Sequence, residues 1–169
     1  MKITKSTRHS KITGDFAEAL VLYWLSKYGF ECARVDHTGI DLIARNPSTR
    51  ELKGISVKSR CRSAGTESDT LNLPRDAFEK ARAACTAFGC VPYFALVIDA
   101  HDRIRVYLLP MERLLVLCPI SNRHSYWRMS PRDVAQYSAD PSIISFELHT
   151  STVHWWPEPS GLPSTAGAA

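Results

Sequence analysis

The sequence predicts an α/β domain in which helices flank a mixed β-sheet. Apolar residues recur with helical spacing over residues 13–28 and 74–88. Strand-like alternation or short apolar runs cover four further segments, namely 30–35, 39–44, 51–59 and 93–98. The elements therefore follow the order α-β-β-β-α-β. Three strands joined by short turns cannot all run parallel, so parallel and antiparallel pairs must be mixed in the sheet.

The 169 residues suit one domain with a sizeable core, since 44% are hydrophobic and 22% charged. We expect a basic mobile arm at 1–11, the folded domain at 12–150 and a disordered tail rich in Pro, Ser, Gly and Ala at 151–169. The chain contains no apolar run of bilayer length and no signal-peptide pattern, and its five cysteines lack zinc-ligand spacing. These features favour a cytoplasmic protein with reduced thiols.

The first helix is expected to have Thr13 as its N-cap and to stop at Gly29. Its unusual residue is Glu18, which lies near the middle of an apolar stripe that includes Val21 and Leu25. A carboxylate at that position is costly unless a cation meets it. The alternative is a glutamate at the edge of the stripe that extends into water.

The centre of the predicted site is a pair of strands, 39–44 and 54–59, separated by turn-forming residues. Side chains alternate along a strand, so Ser56 and Lys58 share one face of the second strand. A hairpin between the two strands would bring both of them close to Asp41 on the first strand. We therefore expect the chemistry of the protein on this face.

The remaining chain is expected to add smaller elements to this core. These are a polar loop at 60–70, a strand at 104–109, a helix at 110–117, a helix opened by Ser130 and Pro131 that ends near 138, and a last strand at 143–148.

Basic residues form two clusters, although the net charge is only +4. Residues 1–11 carry four basic residues and no acid, and residues 45–62 carry six basic residues against Glu51 alone. Clusters on both sides of the predicted site suit a polyanion such as nucleic acid. An edge strand protected by solvated lysines would explain the same charges.

Glu18, Asp41 and Lys58 together provide side chains that phosphodiester hydrolysis requires. Carboxylates can hold one or two Mg²⁺ ions, with Mn²⁺ as a substitute, and the metal offsets phosphate charge and stabilises the leaving oxygen. A nearby lysine can orient or deprotonate the attacking water and oppose the developing negative charge.

The same residues resemble the PD-(D/E)XK nuclease superfamily, which includes restriction endonucleases and archaeal-type Holliday-junction resolvases. The resemblance rests on Gly-Asp-Phe-Ala-Glu at 14–18 and on segments 39–44 and 56–59, and it covers roughly residues 13–99. It implies a restriction-endonuclease-like core. It also implies that the helix acid, the strand acid and the strand lysine named above occupy the positions of the superfamily's catalytic residues.

One position departs from the superfamily pattern. Two residues before the lysine the superfamily usually has Glu or Gln, and here that residue is Ser56, whose hydroxyl is a weaker metal ligand than a carboxylate. The resemblance implies that the backbone carbonyl of Val57 ligates a metal, and Asp36 is a candidate second carboxylate. The metal site would then be weaker, or assembled only with substrate phosphate.

The sequence therefore predicts a Mg²⁺-dependent endonuclease that acts on DNA, in repair, recombination or defence. Five residues are the expected contacts to nucleic acid, namely Lys11, Arg45, Ser59, Arg60 and Arg62. The resemblance to resolvases suggests a homodimer, although no stretch identifies a dimer face. Two alternatives stay open: a nucleic-acid-binding or protein-interaction module without cleavage, which Ser56 favours, and a mixed-sheet domain with no nucleic-acid role.

Other chemically versatile residues lack the spacing of a site. Three histidines have no metal or triad partner at a typical spacing and are expected to be solvated, namely His9, His37 and His124. Trp127 and the tryptophan pair at 155–156 either stack on bases or cover an apolar patch. Cys85 and Cys90 are expected to pack at a helix end.

Overall fold

The structure, a computed structural model, describes residues 5–63, 65–100 and 102–150, apart from the side chain of Asp36. Its helices are α1 (His9–Lys27), α2 (Arg75–Phe88), α3 (Met111–Leu117) and α4 (Pro131–Ala139). Its strands are β1 (Glu31–His37), β2 (Ile40–Arg45), β3 (Leu52–Cys61), β4 (Leu71–Pro74), β5 (Val91–Asp99), β6 (Arg103–Pro110), β7 (His124–Trp127) and β8 (Ile144–His149). Within these described ranges, no helix is long and apolar enough to cross a bilayer. The predicted tail at 151–169 lies outside them.

Six strands form one mixed sheet in the order β1-β2-β3-β5-β6-β8. The neighbours β3 and β5 run parallel, and the other neighbouring pairs run antiparallel. Parallel neighbours need a crossover connection, which β4 and α2 provide. The predicted mixed sheet flanked by helices is confirmed, with the short strand β4 inserted before α2.

The helices α1 and α2 pack on opposite faces of the sheet. Ala17, Val21 and Leu25 of α1 form one buried cluster with apolar side chains of β2, β3, β5 and β6. Phe78 of α2 belongs to a second cluster, which includes Phe94 of β5 and side chains from β4, β7, α3 and α4. Because β5 is covered on both faces, its sequence is a nearly continuous apolar run.

The start of α1 differs from the prediction. The helix begins at His9, so residues 9–11, which the sequence assigned to the mobile arm, are helical. The hydroxyl of Thr13 donates to the His9 carbonyl at 2.7 Å. Thr13 therefore bonds to the preceding turn inside the helix, and the prediction that it is the N-cap is wrong.

The small antiparallel sheet of β4 and β7 was not predicted. Its register runs from Leu71 opposite Trp127 to Pro74 opposite His124. Leu71, Leu73 and Trp127 are buried in the cluster on the α2 face. Each strand has only four residues and the partners are far apart in sequence. The pair therefore depends on tertiary packing that a local pattern cannot reveal.

Two glycines allow α2 to approach the strands that carry the predicted site. Gly39 has a φ of 106°, and a Cβ there would lie 2.3 Å from the Lys80 carbonyl oxygen. A Cβ on Gly54 would lie 2.5 Å from Cys85 Sγ and 2.6 Å from Cys90 Sγ. These close approaches position β2 and β3 against the helix.

Candidate active site

The ladder between β2 and β3 ends next to Asp41. Its last pair is Leu42 with Ile55, so Asp41 lies one step further along, opposite Ser56. There the Asp41 carboxylate takes the place of a main-chain carbonyl as hydrogen-bond acceptor. Its Oδ2 accepts a hydrogen bond from the Val57 N–H at 2.6 Å. Asp41 is thus held in the opening between two diverging strands.

Three charged side chains act on one another at this opening. Burial raises the pKa of Asp41, and the charge of Glu18 also raises it, whereas the Val57 N–H and the charge of Lys58 lower it. The pKa is raised overall, so the local positive charge does not fully offset the cost of the buried carboxylate. The structure therefore brings the acid of α1, the acid of β2 and the lysine of β3 into one electrostatic neighbourhood.

Glu18 has a cationic partner that the sequence analysis did not identify. Its Oε2 accepts a hydrogen bond from Arg34 Nη2 at 2.7 Å. Arg34 lies on β1 opposite Leu42, and strand alternation places its side chain on the face of the sheet that α1 covers. Arg34 thus provides a cation of the kind that a carboxylate in the apolar stripe would need. Alternation along β1 could have indicated the face on which Arg34 lies, but not that it pairs with Glu18.

The structure gives different information about the roles predicted for three further residues, namely Ser56, Val57 and Asp36. Ser56 is only 1% exposed, and its short neutral side chain offers a metal a hydroxyl oxygen and no carboxylate. Val57 contacts Asp41 through its N–H, and ligation through its carbonyl stays a prediction. Asp36 lies on β1, but its side chain is outside the described residues.

The candidate site offers two carboxylates for a metal ion. Among the side chains that the structure describes, no three of the His, Cys, Asp or Glu type form a cluster that could hold a metal. Mg²⁺, however, is often bound by one or two carboxylates together with phosphate oxygens and water. Glu18 and Asp41 fit that pattern. A cation bound there would also offset the burial and the Glu18 charge that raise the pKa of Asp41.

The predicted nucleic-acid contacts Ser59, Arg60 and Arg62 lie at the far end of β3, directly after Lys58. Arg60 is exposed. Arg62 is half-buried, and its Nη2 donates to the carbonyls of the loop residues 69 and 70 at 2.8 Å each. Part of the Arg62 guanidinium is therefore committed to the fold.

The other two predicted contacts lie elsewhere. Arg45 ends β2 and is paired with Leu52, so it lies at the opposite end of the β2–β3 ladder from Asp41. Lys11 forms an exposed ion pair with Asp15 at 3.2 Å, one turn further along α1. The structure therefore does not gather the five predicted contacts into one patch.

Most of the remaining versatile residues have structural partners. Trp127 is fully buried and stacks on Tyr137, with ring centroids 3.7 Å apart, so its role in covering apolar surface is confirmed. The five cysteines are free, and Cys85 packs at the end of α2 as expected. The three histidines have different surroundings. His9 is half-buried next to Thr13. His37 packs edge-on against Phe88, and His124 lies near Tyr126. The tryptophan pair at 155–156 lies outside the described residues.

Comparison with known proteins gives matches among solved structures. No protein-family model and no curated protein matches the chain. Hjc, a Holliday junction resolvase from the archaeal hyperthermophile Archaeoglobus fulgidus, matches with a TM-score of 0.51 and 22% identity, covering 68% of this chain and 83% of that one. The bacterial homing endonuclease I-Ssp6803I matches with a TM-score of 0.48 and 14% identity, covering 78% of this chain and 88% of that one.

The similarity to the resolvase shows the fold class. The chain has the restriction-endonuclease-like fold of the PD-(D/E)XK nucleases, with a six-stranded mixed sheet flanked by helices. The resemblance that the sequence predicted is therefore confirmed at the level of the fold.

Proposed function

We propose that this protein is a metal-dependent endonuclease that hydrolyses phosphodiester bonds in DNA, in repair, recombination or defence. The observation that supports the proposal is the position of Asp41 at the opening of the β2–β3 ladder, where the Val57 N–H holds its carboxylate and the charges of Glu18 and Lys58 act on it. A carboxylate pair beside a lysine matches what phosphodiester hydrolysis requires. The nuclease fold supports the same conclusion.

In this proposal Asp41 and Glu18 hold Mg²⁺, or Mn²⁺ in its place, directly or through water, with the Val57 carbonyl and Asp36 as further candidate ligands. When bound, the metal supplies Lewis-acid stabilisation of the phosphate charge and of the leaving oxygen. The Val57 N–H fixes one oxygen of Asp41 and leaves the other free to act as a ligand. Oxygens of the substrate phosphate would supply the remaining ligands, because Ser56 provides no carboxylate.

Lys58 positions the attacking water in line with the leaving oxygen and opposes negative charge that develops on the phosphate. Arg34 holds Glu18 in place and adds a positive charge at the edge of the site. Arg60, Ser59 and other basic residues contact the DNA backbone, so binding should depend strongly on salt and little on sequence. A cytoplasmic location and a homodimer complete the proposal.

A second candidate function is DNA binding without cleavage. Two observations favour it: Ser56 stands where the superfamily usually has Glu or Gln, and the described side chains contain no cluster of three metal-binding residues. The fold and the basic end of β3 would then serve binding alone.

A cleavage assay separates the two functions. Supercoiled, linear and branched DNA are incubated in Mg²⁺ or Mn²⁺ with the wild type and with the Asp41→Ala and Lys58→Ala variants. Lys80→Ala is the matched control, because it removes an exposed lysine of α2 that forms an ion pair with Asp76 on the same helix.

The endonuclease is supported if the wild type and Lys80→Ala nick DNA in the presence of metal and both site variants do not. Salt-sensitive binding without cleavage in either metal would support the binding module. Absence of salt-sensitive binding would contradict both.

A further inference from the structure

A polar groove lies beside the candidate active site, at the junction of α1 and the end of β3. It has a volume of about 460 Å³. Its walls are the first turns of α1, the last residues of β3 and the loop that follows β3. Its lining includes Lys5, His9, Ser59, Arg60, Arg62 and Asp69.

The groove carries more positive than negative charge. Lys5, Arg60 and Arg62 face Asp69, the single acidic residue in its described lining. The two arginines lie close enough for their charges to oppose each other: burial lowers the pKa of Arg62, and the charge of Arg60 lowers it further. Like charges held together in a concave site favour a bound anion.

Arg62 is fixed by the fold and lies beneath this surface. Its Nη2 donates to the carbonyl oxygens of Asp69 and Thr70 at 2.8 Å each, which closes the loop against the start of β4. Its Nε is buried and has no hydrogen-bond partner among the described residues. Arg62 therefore contributes positive charge to the groove wall, while its hydrogen bonds hold the loop in place.

Arg60 is exposed, and none of the ion pairs within the described part of the chain includes it. Its planar guanidinium can donate two parallel hydrogen bonds to a phosphate. Lys5 closes the groove from the other side, where its Nζ donates to the Cys61 carbonyl at 3.2 Å. Ser59 adds a neutral hydroxyl next to Arg60.

The groove lies close to the candidate site along two elements. Arg60 follows Lys58 by two residues on an extended strand, a separation of about 7 Å. Along α1, His9 precedes Glu18 by nine residues, or about 13 Å of helix. Consecutive phosphates of one DNA strand advance about 3.4 Å along the helix axis. A strand whose scissile phosphate lies at Lys58 would thus have another of its phosphates, a few nucleotides away at most, within reach of the groove.

We propose that this groove binds a backbone phosphate of the DNA, with Arg60 as the binding residue and Arg62 as a positioning residue that holds the groove wall. The inference rests on the proposed function, because it names how the substrate strand is held next to the cleavage site. It assigns the two arginines different roles. Loss of Arg60 should weaken binding with the fold intact, whereas loss of Arg62 should first loosen the loop at residues 63–70.

The test is DNA binding under conditions that prevent cleavage. Fluorescence anisotropy with a labelled duplex is measured in EDTA at several salt concentrations for the wild type and for Arg60→Ala. The control is Arg82→Ala, which removes an exposed arginine of α2, outside the groove. Arg60→Ala should weaken binding about tenfold at low salt and reduce the slope of log K against log salt by about one. Arg82→Ala should bind like the wild type.

Arg62→Ala provides a second readout. Amide hydrogen exchange in residues 63–70 should accelerate in this variant and stay unchanged in Arg60→Ala, since Arg60 makes no contact that closes the loop. Equal affinity and equal salt slope in Arg60→Ala and Arg82→Ala would overturn the proposal. Its failure is distinguishable from failure of the nuclease proposal. If the wild type cleaves no DNA in any metal but Arg60→Ala still weakens binding, the groove proposal holds and the nuclease proposal fails. If the wild type cleaves DNA and Arg60→Ala binds like the wild type, the nuclease proposal holds and the groove proposal fails.

Discussion

At the scale of single residues, Asp41 explains why the site is both costly and useful. Its carboxylate is held by one backbone N–H in a half-buried opening, and burial together with Glu18 raises its pKa. Buried charge that the protein does not offset lowers stability. It also creates the local demand for a cation that a metal-dependent enzyme needs.

The first prediction concerns Asp41→Asn and stability. Because the pKa of Asp41 is raised above its ordinary value of 3.8, the folded protein retains a proton at a pH where the unfolded chain has released it. The contribution of Asp41 to stability therefore falls as pH rises through this window. Asparagine keeps an acceptor for the Val57 N–H without the charge. The variant should be more stable than the wild type at neutral pH by about 1 kcal/mol, measured by urea unfolding.

The control for that prediction is Asp76→Asn. The pKa of Asp76 is lowered by its hydrogen bond from Lys80 on the surface of α2. Removing that charge should give no gain in stability. An Asp41→Asn variant that is less stable than the wild type would contradict the view that this buried carboxylate is inadequately offset.

The second prediction concerns metal binding and pH. If Mn²⁺ binds at Asp41, it competes with the proton that the raised pKa favours. The gain in melting temperature on adding Mn²⁺ should be large near pH 7.5 and should shrink as pH falls through the raised pKa. At about 100 times the Kd, the metal should add about 2.7 kcal/mol to the free energy of unfolding. Differential scanning fluorimetry of the wild type and Asp41→Asn measures this. A gain that is equal in the two proteins would place the metal elsewhere.

At the scale of elements, β3 links the site to both helices. It carries Ser56 and Lys58, pairs with β2 and β5, and is packed on one face by α1 and on the other by α2. Gly54 matters in this arrangement because it leaves room for the sulfurs of Cys85 and Cys90.

The third prediction is that Gly54→Ala forces α2 away from β3. The added Cβ would lie about 2.5 Å from two sulfur atoms, so the variant should lose roughly 1–3 kcal/mol of unfolding free energy. Adding Cys85→Ala and Cys90→Ala should recover part of the loss, since the clashing atoms are removed. Gly14→Ala is the matched control. No atom lies within 4 Å of a Cβ there, and in the middle of α1 it should stabilise by about 0.5–1 kcal/mol. Chemical denaturation measures the free energy of unfolding of the four proteins. A Gly54→Ala variant as stable as the wild type would contradict the close packing of α2 on β3.

The same elements show what the sequence could and could not predict. The order of the elements through β5, apart from β4, and the strand positions of Asp41, Ser56 and Lys58 followed from alternation and turns, which are local signals. Arg34 was missed because its pairing with Glu18 joins β1 to α1 through the fold. The β4–β7 pair was missed because its stability comes from buried Leu71, Leu73 and Trp127. The sequence indicated that Glu18 needs a cation, and only the structure could say which one meets it.

At the scale of the whole molecule, the fold places a basic groove next to the candidate site. The two carboxylates of the candidate site lie at the opening of β2 and β3, and the basic groove lies beyond the same end of β3. A DNA strand that follows the groove would pass over the site. The remaining basic residues, including Arg45 at the opposite end of β2, add only a diffuse positive field that screening by salt should weaken.

The central claim is that Glu18 and Asp41 act as one site. The most direct test is whether the losses of cleavage rate caused by the two single substitutions multiply in the double variant. Cleavage rates of supercoiled DNA in Mg²⁺ are compared for the wild type, Glu18→Gln, Asp41→Asn and the double variant. Residues that act as a unit show losses that do not multiply. The account predicts that each single variant loses cleavage at least about 100-fold and that the double variant is no slower than the worse single one. Losses that multiply, or a single variant that cleaves at the wild-type rate, would contradict it.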